Sequence, residues 1–321
     1  MQLTREDFQK FLYTYNEDEL FYRTLYFEKK EHPETFHKFC LNLDCDLISR
    51  RQLYVPELQK EGWHSYFEEK AMFCDTADNI MLYKHYRYTP EFIHKHEFFE
   101  ILCIYDGQAH TSIQGIEHTL HKGDVCIIPP HTKHSVGVFD DSIAVNILIR
   151  GTTFQSTFFQ ALTADSALAQ FFAHVLYRKT EGNYLIFHTG NDVRICDMLE
   201  TMYIEYLAHE KYSYTFLNSM LILFWAMLLR YHENDTAAHF GYSTSHFSTL
   251  IKEGTGQTFL QIIRNIKLNQ ACRALRESSL SNNAICELVG YDSPEHFMRT
   301  FKKTYGMTPG EYRKKYHEQE S

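Results

Sequence analysis

Gly290-Tyr291-Asp292-Ser293-Pro294-Glu295-His296-Phe297 has an earlier counterpart, Gly241-Tyr242-Ser243-Thr244-Ser245-His246-Phe247. From the His-Phe pair onward the two copies align at a constant offset of 50, pairing Phe247 with Phe297, Ile251 with Phe301, Lys252 with Lys302, Gly256 with Gly306 and Thr258 with Thr308. A fixed period inside one chain means one supersecondary unit used twice.

The second copy reads as two short helices joined by a tight turn. Ser281 and Ser293 are N-cap residues, and Pro294 suits the first helical position. Ile285, Leu288, Val289, Phe297 and Phe301 form a small core, and Gly290 permits the turn. Glu295, His296, Met298, Arg299, Lys302 and Lys303 then face outward. In the first copy Phe247, Leu250 and Ile251 point inward, leaving Thr244, Ser245, Ser248, Thr249 and Lys252 outside. This is a helix-turn-helix pattern, whose second helix can lie in a major groove of DNA. The candidate contacts are therefore Thr244, Ser245, Ser248, Thr249, Lys252, Ser293, Glu295, His296, Arg299, Lys302 and Lys303. Residues early in each helix meet base edges, and the lysines meet phosphates. Phe259–Leu275 between the copies reads as one helix, with Ile262, Ile263 and Ile266 inward. Such a connector could span successive grooves, about 34 Å apart.

Charge agrees with this placement. The whole chain of 321 residues has a formal charge of −9, which by itself disfavours nucleic acid. Residues 236–321, however, carry 11 Lys+Arg against 8 Asp+Glu, a balance of +3, which leaves −12 for the remainder. A mildly basic module on an acidic body fits that distribution. Eight cysteines without a C-x-x-C pair read as reduced, mostly buried thiols of a cytoplasmic protein. The start Met1-Gln2-Leu3-Thr4-Arg5-Glu6-Asp7 has no apolar core behind it, so no secretory segment is expected. Met220–Leu229 is the longest apolar run, too short for a bilayer and expected to be a buried helix.

Four stretches emerge along the chain. Residues 1–80 are mostly helical in pattern, with Phe8, Phe11, Leu12 and Tyr15 on one side. Residues 81–153 turn β-prone, with runs at Met81–Tyr88, Phe98–Tyr105, Thr111–Ile116, Val125–Ile128 and Ala144–Ile149. Asp106-Gly107, Lys122-Gly123-Asp124 and Pro129-Pro130 punctuate them, which suggests a small barrel or jelly roll. Residues 154–231 read as a helical linker, with a stripe of Leu217, Met220, Leu221, Phe224, Met227 and Leu228 shared with the core or a partner subunit. Residues 232–321 hold the repeat. The fold class is thus multidomain α+β, a β-barrel with flanking helices followed by an all-α double helix-turn-helix.

Within the β stretch, His94-x-His96-x-x-x-Glu100 is followed by Gly107, and Gly123-x5-Pro129-x-His131-x-x-His134 comes downstream. These two segments resemble the paired motifs of the cupin superfamily, with His131 standing where glycine is usual and Val138 where asparagine is usual. The resemblance makes His94, His96, Glu100 and His134 the candidate effector-binding residues. In metal-binding cupins the matching positions hold a divalent metal, and three imidazoles with a carboxylate suit one. No cofactor is expected here, the metal being the minor alternative. His110, His118 and His121 lie near turns and are expected to be solvated.

Residues 236–315 resemble the AraC family. Leu280-Ser281-Asn282-Asn283-Ala284-Ile285-Cys286-Glu287-Leu288-Val289-Gly290-Tyr291 is similar to that family's second helix-turn-helix entry. Phe297-x-x-x-Phe301-Lys302-Lys303-x-x-Gly306-Met307-Thr308-Pro309-x-x-Tyr312-Arg313 is similar to its C-terminal signature. The resemblance implies a non-enzymatic transcription regulator, more often an activator working with RNA polymerase. It would bind promoter DNA as a homodimer and sense a small molecule, such as a carbohydrate, in the barrel. Where family members often carry basic residues, this chain has Thr249 and Gln270. Thr236 stands where the second copy has Ile285, and Tyr231-His232-Glu233-Asn234-Asp235 replaces the expected entry of the first copy. The competing readings are a metal-dependent cupin enzyme with an accessory helical domain, and a regulator without any ligand.

Overall fold

The computed structural model describes residues 4–59, 65–73, 79–161, 184–190, 192–236, 259–278, 280–291 and 293–317. They form two compact units, one of the described residues up to 236 and one of those from 259 onward.

The first unit is built on two facing antiparallel sheets. Strands β2 (Ile80–Lys84), β4 (Phe99–Asp106), β7 (Asp124–Ile128), β9 (Ile143–Ile149) and β10 (Leu185–His188) make one, in the order β10-β7-β4-β9-β2. Strands β5 (Gln108–Ile113), β6 (Ile116–His121) and β8 (His134–Gly137) make the other, in the order β6-β5-β8. A short parallel pair, β1 (Tyr66–Phe67) and β3 (Lys95–His96), closes one end. Side chains alternate across a strand, so Leu102, Ile104, Cys126, Ile128 and Ala144 meet Ala109, Ile113, Leu120, Val136 and Val138 inside the barrel. The opposite face of the larger sheet is also covered, which is why every residue of β9 is buried. Helices α6 (Gly151–Ala161), α7 (Val193–Ala208) and α8 (Ser213–Thr236) belong to this unit, α6 and α8 packing together. Phe154 of α6 stacks on Phe99 at 3.7 Å, and Trp225 of α8 meets Phe154 edge-on at 5.3 Å.

Helices α1 (Arg5–Tyr13), α2 (Glu17–Glu31), α3 (Phe36–Leu41), α4 (Cys45–Arg51) and the single-turn α5 (Glu69–Met72) come before β2 in the chain. Thr4 and Asn16 start α1 and α2 with reciprocal capping boxes. Tyr22, Leu25, Phe36, Cys40, Ile48, Leu53 and Val55 bury one face together with Tyr88. A buried ion network ties these helices to β2. The Glu19 carboxylate accepts from Lys84 Nζ at 2.6 Å and Arg87 Nε at 2.9 Å, and Lys84 also donates to the Leu12 and Thr14 carbonyls.

In the second unit, α9 (Phe259–Glu277) packs on α10 (Asn282–Leu288) and α12 (Pro309–His317), and α11 (Pro294–Tyr305) meets α10 and α12. Leu268, Ala271, Cys272, Leu275, Ile285, Val289, Phe297, Phe301 and Tyr312 are the core. The expected caps form, since Ser281 accepts from the Ala284 amide and Ser293 from the His296 amide. Gly290 takes φ +69° and Gly306 φ +75°, the left-handed conformation that glycine adopts at least cost.

Several expectations change. The stretch 154–231 is not wholly helical, because Leu185–His188 pairs with β7; a run this short carries no helical or strand period of its own. The expected strand Thr111–Ile116 is two strands with a turn at Gln114-Gly115, both at positive φ. Leu288, placed in the core by periodicity, is 54% exposed at the end of α10. The apolar run near 220 lies in a longer helix whose segment Ser213–His232 is long and apolar enough to cross a membrane. Leu217, Leu221, Phe224, Trp225 and Leu228 of that helix are buried, as in a core helix. Tyr231–Asp235, read as interrupting a helical entry, continues α8. His232 Nε2 lies 3.1 Å from Asp192, and Arg194 sits over Tyr231, pinning this end to α7.

Candidate functional site

The barrel end beside β3 gathers all four sequence-predicted residues. His94 and His134 form a bridge, exchanging backbone hydrogen bonds of 2.9 and 3.0 Å. The bridge brings their rings to 4.2 Å, while His96 lies at 5.0 Å from the His134 ring. Glu100, the second residue of β4, points inward because Leu102 and Ile104 do. His134 Nε2 and His96 Nε2 each approach Glu100 Oε2, at 3.2 and 3.1 Å. His96, Glu100 and His134 are buried, and His94 is half-buried. His131, in the position where glycine is usual, takes φ +64° and so supplies the turn that glycine would.

The outer nitrogens fix the ring chemistry. His94 Nδ1 faces the Phe92 carbonyl at 3.2 Å, His96 Nδ1 the Phe98 carbonyl at 2.7 Å and His134 Nδ1 the Thr132 carbonyl at 3.0 Å. A carbonyl only accepts, so each Nδ1 carries a proton, and on the neutral rings of His94 and His96 a lone pair is left on Nε2. Burial pushes His94 down to about 3 and lowers His96 as well, keeping both neutral. Burial also pushes the Glu100 carboxyl up, but contacts from His134 and His96 outweigh it and hold it well below its usual range. His96 Nε2 is buried without a hydrogen-bond partner, its approach to Glu100 being off-line. An inward lone pair beside a carboxylate asks for a donor or a cation between them.

The donor set fits a divalent transition metal. His94, Glu100 and His134 offer ligand atoms all within 4.8 Å of one another. Ligands about 2.0–2.2 Å from a common ion sit roughly 3 Å apart, and imidazoles that give Nδ1–H to carbonyls are the usual metal-ligating form. His94, Glu100 and His134 would hold the ion, with His96 beside them, and a bound cation would polarise an oxygen of a ligand in the barrel. Of the three histidines expected to be solvated, His110 and His121 are exposed, whereas His118 is half-buried with Nε2 at 2.6 Å from the Tyr184 hydroxyl.

The second surface is α11. Phe297 and Phe301 face the core. At about 100° per residue, Met298, Lys302, Glu295, Arg299, Lys303 and His296 follow one another around the opposite side, and all six are exposed. The face is therefore continuous and unspent on packing. Ser293 differs from the others: it is half-buried and its hydroxyl caps the helix. Its structural role is thus set before any contact role. Thr244, Ser245, Ser248, Thr249 and Lys252 of the first copy lie outside the described residues, as do the side chains of Ile262, Ile263 and Ile266.

The family model for an AraC-like ligand binding domain matches residues 81–182, and that for a helix-turn-helix domain matches residues 236–315. The chain belongs to the AraC family. Its AraC-family relatives include the regulator GlxA of Rhizobium meliloti, 39% identical over 75 residues, 23% of each chain. The xylose operon regulatory protein of Escherichia coli K12 is 40% identical over 23% of this chain and 19% of its own length. The activator RhaR of Mannheimia succiniciproducens is 23% identical over 82% of this chain and 99% of its own. The chain thus spans about a quarter or less of the first relatives it matches. A ToxT structure from Vibrio cholerae covers 73% of this AraC-family chain and 96% of its own, with 15% identity and a TM-score of 0.35. That overlap is too low to carry residues across.

Proposed function

We propose that this AraC-family chain is a transcription regulator that binds promoter DNA through the helical unit and a small-molecule effector through the barrel. The observation that carries it is the face of α11: five exposed polar or charged residues, Glu295, His296, Arg299, Lys302 and Lys303, with Met298 beside them, opposite a packed core on the second helix of a capped helix-turn-helix. Such a helix can enter a major groove, with Glu295, His296 and Arg299 reaching base edges and Lys302 and Lys303 reaching phosphates. The barrel supports the effector half, since buried, ionised Glu100 with neutral His94 and His96 forms a polar recess in an apolar interior. Activation alongside RNA polymerase and action in the cytoplasm belong to this reading. So does a homodimer, for which Phe216 and Leu223 of α8 stand 55% and 50% exposed on one side of the helix.

A gel-shift assay with genomic promoter fragments tests the DNA half, and sequencing the bound fragments names the operator. The carbonyl-fixed histidines favour one addition, a divalent metal in the barrel cluster. Metal analysis of purified protein checks it. Stoichiometric metal together with no DNA binding in low salt would overturn the regulator in favour of a metal-dependent enzyme.

A further inference from the structure

The outward face of α11 carries one acid among its bases, and the acid sits near the centre of that face. At about 100° per residue, Arg299 points directly away from the mean direction of Phe297 and Phe301, which are buried in the core. Glu295 and Lys303 stand about 40° to either side of Arg299. Glu295 is exposed and makes no hydrogen bond or ion pair among the described residues, Arg299 four positions on included. The same unit shows what a structural acid does. Glu311, the third residue of α12, accepts from the Thr308 amide at 2.7 Å and the Thr308 hydroxyl at 2.9 Å, closing a capping box. Glu295 is the second residue of α11, one short of the position from which a side chain reaches back to the cap. There the Ser293 hydroxyl accepts from the His296 amide without a reciprocal bond. The field at a helix N-terminus favours an acid in the first turn, but it does not call for one at the centre of the free face.

Such an acid opposes binding once the helix meets DNA. Its charge repels the phosphates, and a carboxylate that leaves water without a partner loses its hydration. Only a donor on a base edge removes that penalty. In the major groove the donors are the amino groups of cytosine and adenine, while guanine and thymine present acceptors. Adenine sets its N7 acceptor beside the amino group, against the second carboxylate oxygen. Cytosine sets only a C–H there. We propose that Glu295 is a specificity-determining residue that selects a cytosine opposite the first turn of α11 and lowers affinity for every other sequence. The inference rests on α11 being the helix that enters the groove. Glu295 then has the opposite task to Lys302 and Lys303, whose charges attract any sequence.

Selection of bound duplexes from a randomised DNA library tests this, with the full-length protein beside Glu295→Ala and Glu295→Gln. The wild-type motif is expected to hold a cytosine that Glu295→Ala no longer requires. Glu295→Gln is expected to move the preference at that position to adenine, because an amide pairs with both N6 and N7. In gel-shift titrations, thymine in place of that cytosine should weaken the wild type about tenfold or more, and Glu295→Ala less than about threefold. Glu295→Ala should also bind nonspecific duplex more tightly than the wild type, a gain that damage to the helix would not produce. A motif with the same columns in all three proteins overturns the role of Glu295 and leaves α11 as the reading helix. Equal weakening of specific and nonspecific duplexes by Glu295→Ala does the same. No selected motif and no shifted duplex with the wild type overturns the DNA reading itself.

Discussion

The barrel interior and the face of α11 both present polar side chains, yet they do so at opposite cost. Glu100, His96 and His134 are buried, where an unpaired polar group is expensive. Glu295, Arg299, Lys302 and Lys303 stand in solvent and spend nothing on the fold. A change in the first region therefore acts on function and stability together, whereas a change in the second acts on function alone. Substitutions that separate or merge these two behaviours decide whether the contrast holds.

The largest effect is expected at Glu19, the strongest instance of buried charge. Glu19→Ala leaves Lys84 and Arg87 buried without their anion, a loss of about 3–5 kcal/mol. Burial raises the Glu19 carboxyl, but hydrogen bonds from Arg87 and Lys84 outweigh it and hold the group below its usual range. A depressed carboxyl contributes stability above its unfolded value and loses it as pH falls through the folded one. The wild-type advantage over Glu19→Gln in thermal melts should therefore be full near neutrality and shrink below about pH 4.5. A pH-independent gap would remove the ion network as its cause.

Next comes Glu100→Gln. It keeps the volume but removes the charge that three histidines surround. Loss of effector or metal binding is expected, with a smaller stability change of about 1–3 kcal/mol. Metal analysis and calorimetry read the first, melting the second. An unchanged ligand affinity would mean the cluster is structural, and the barrel would then join α11 as a region whose polar groups do a single job.

The two regions were also unequally legible in the sequence. In α10 and α11, local rules suffice: Ser281, Ser293, Pro294, Gly290 and Gly306 take the caps and turns their chemistry favours. Leu288 failed because a seven-residue helix is too short for periodicity to choose between core and edge. In the barrel, the motif spacing located His94, His96, Glu100 and His134, but Tyr83 and Asn146, joined by a 2.8 Å hydrogen bond, carried no signal. They meet through the β2–β9 pairing, which joins residues 63 apart in the chain. Only the alternation of Met81, Tyr83 and His85 with buried neighbours could have hinted at them, and alternation does not say which face looks inward. The ion network of Glu19 with Lys84 and Arg87 was equally hidden, since it joins stretches read as separate regions.

On α11 itself, Arg299→Ala should weaken specific DNA binding by about 1–3 kcal/mol and relax sequence preference at one position. The melting behaviour should stay within about 0.5 kcal/mol of wild type, as befits an exposed residue with no hydrogen bond or ion pair among the described residues. A drop in stability would show that the face is spent on packing after all.

The smallest effect separates two kinds of contact within that face. Lys303 lies near the end of α11, where the helix draws away from the groove floor if its N-terminal residues meet the bases. A lysine there reaches phosphate, a contact that carries no sequence information and releases counterion. Lys303→Ala should weaken specific and nonspecific fragments alike and reduce the slope of log affinity against log salt by about 1. Arg299→Ala should instead change the ratio between the fragments. If both variants alter the ratio and neither alters the slope, the helix sits deeper or turned from this placement. The basic end would then be reading bases, and the order of residues around α11 would need to be assigned to the groove afresh.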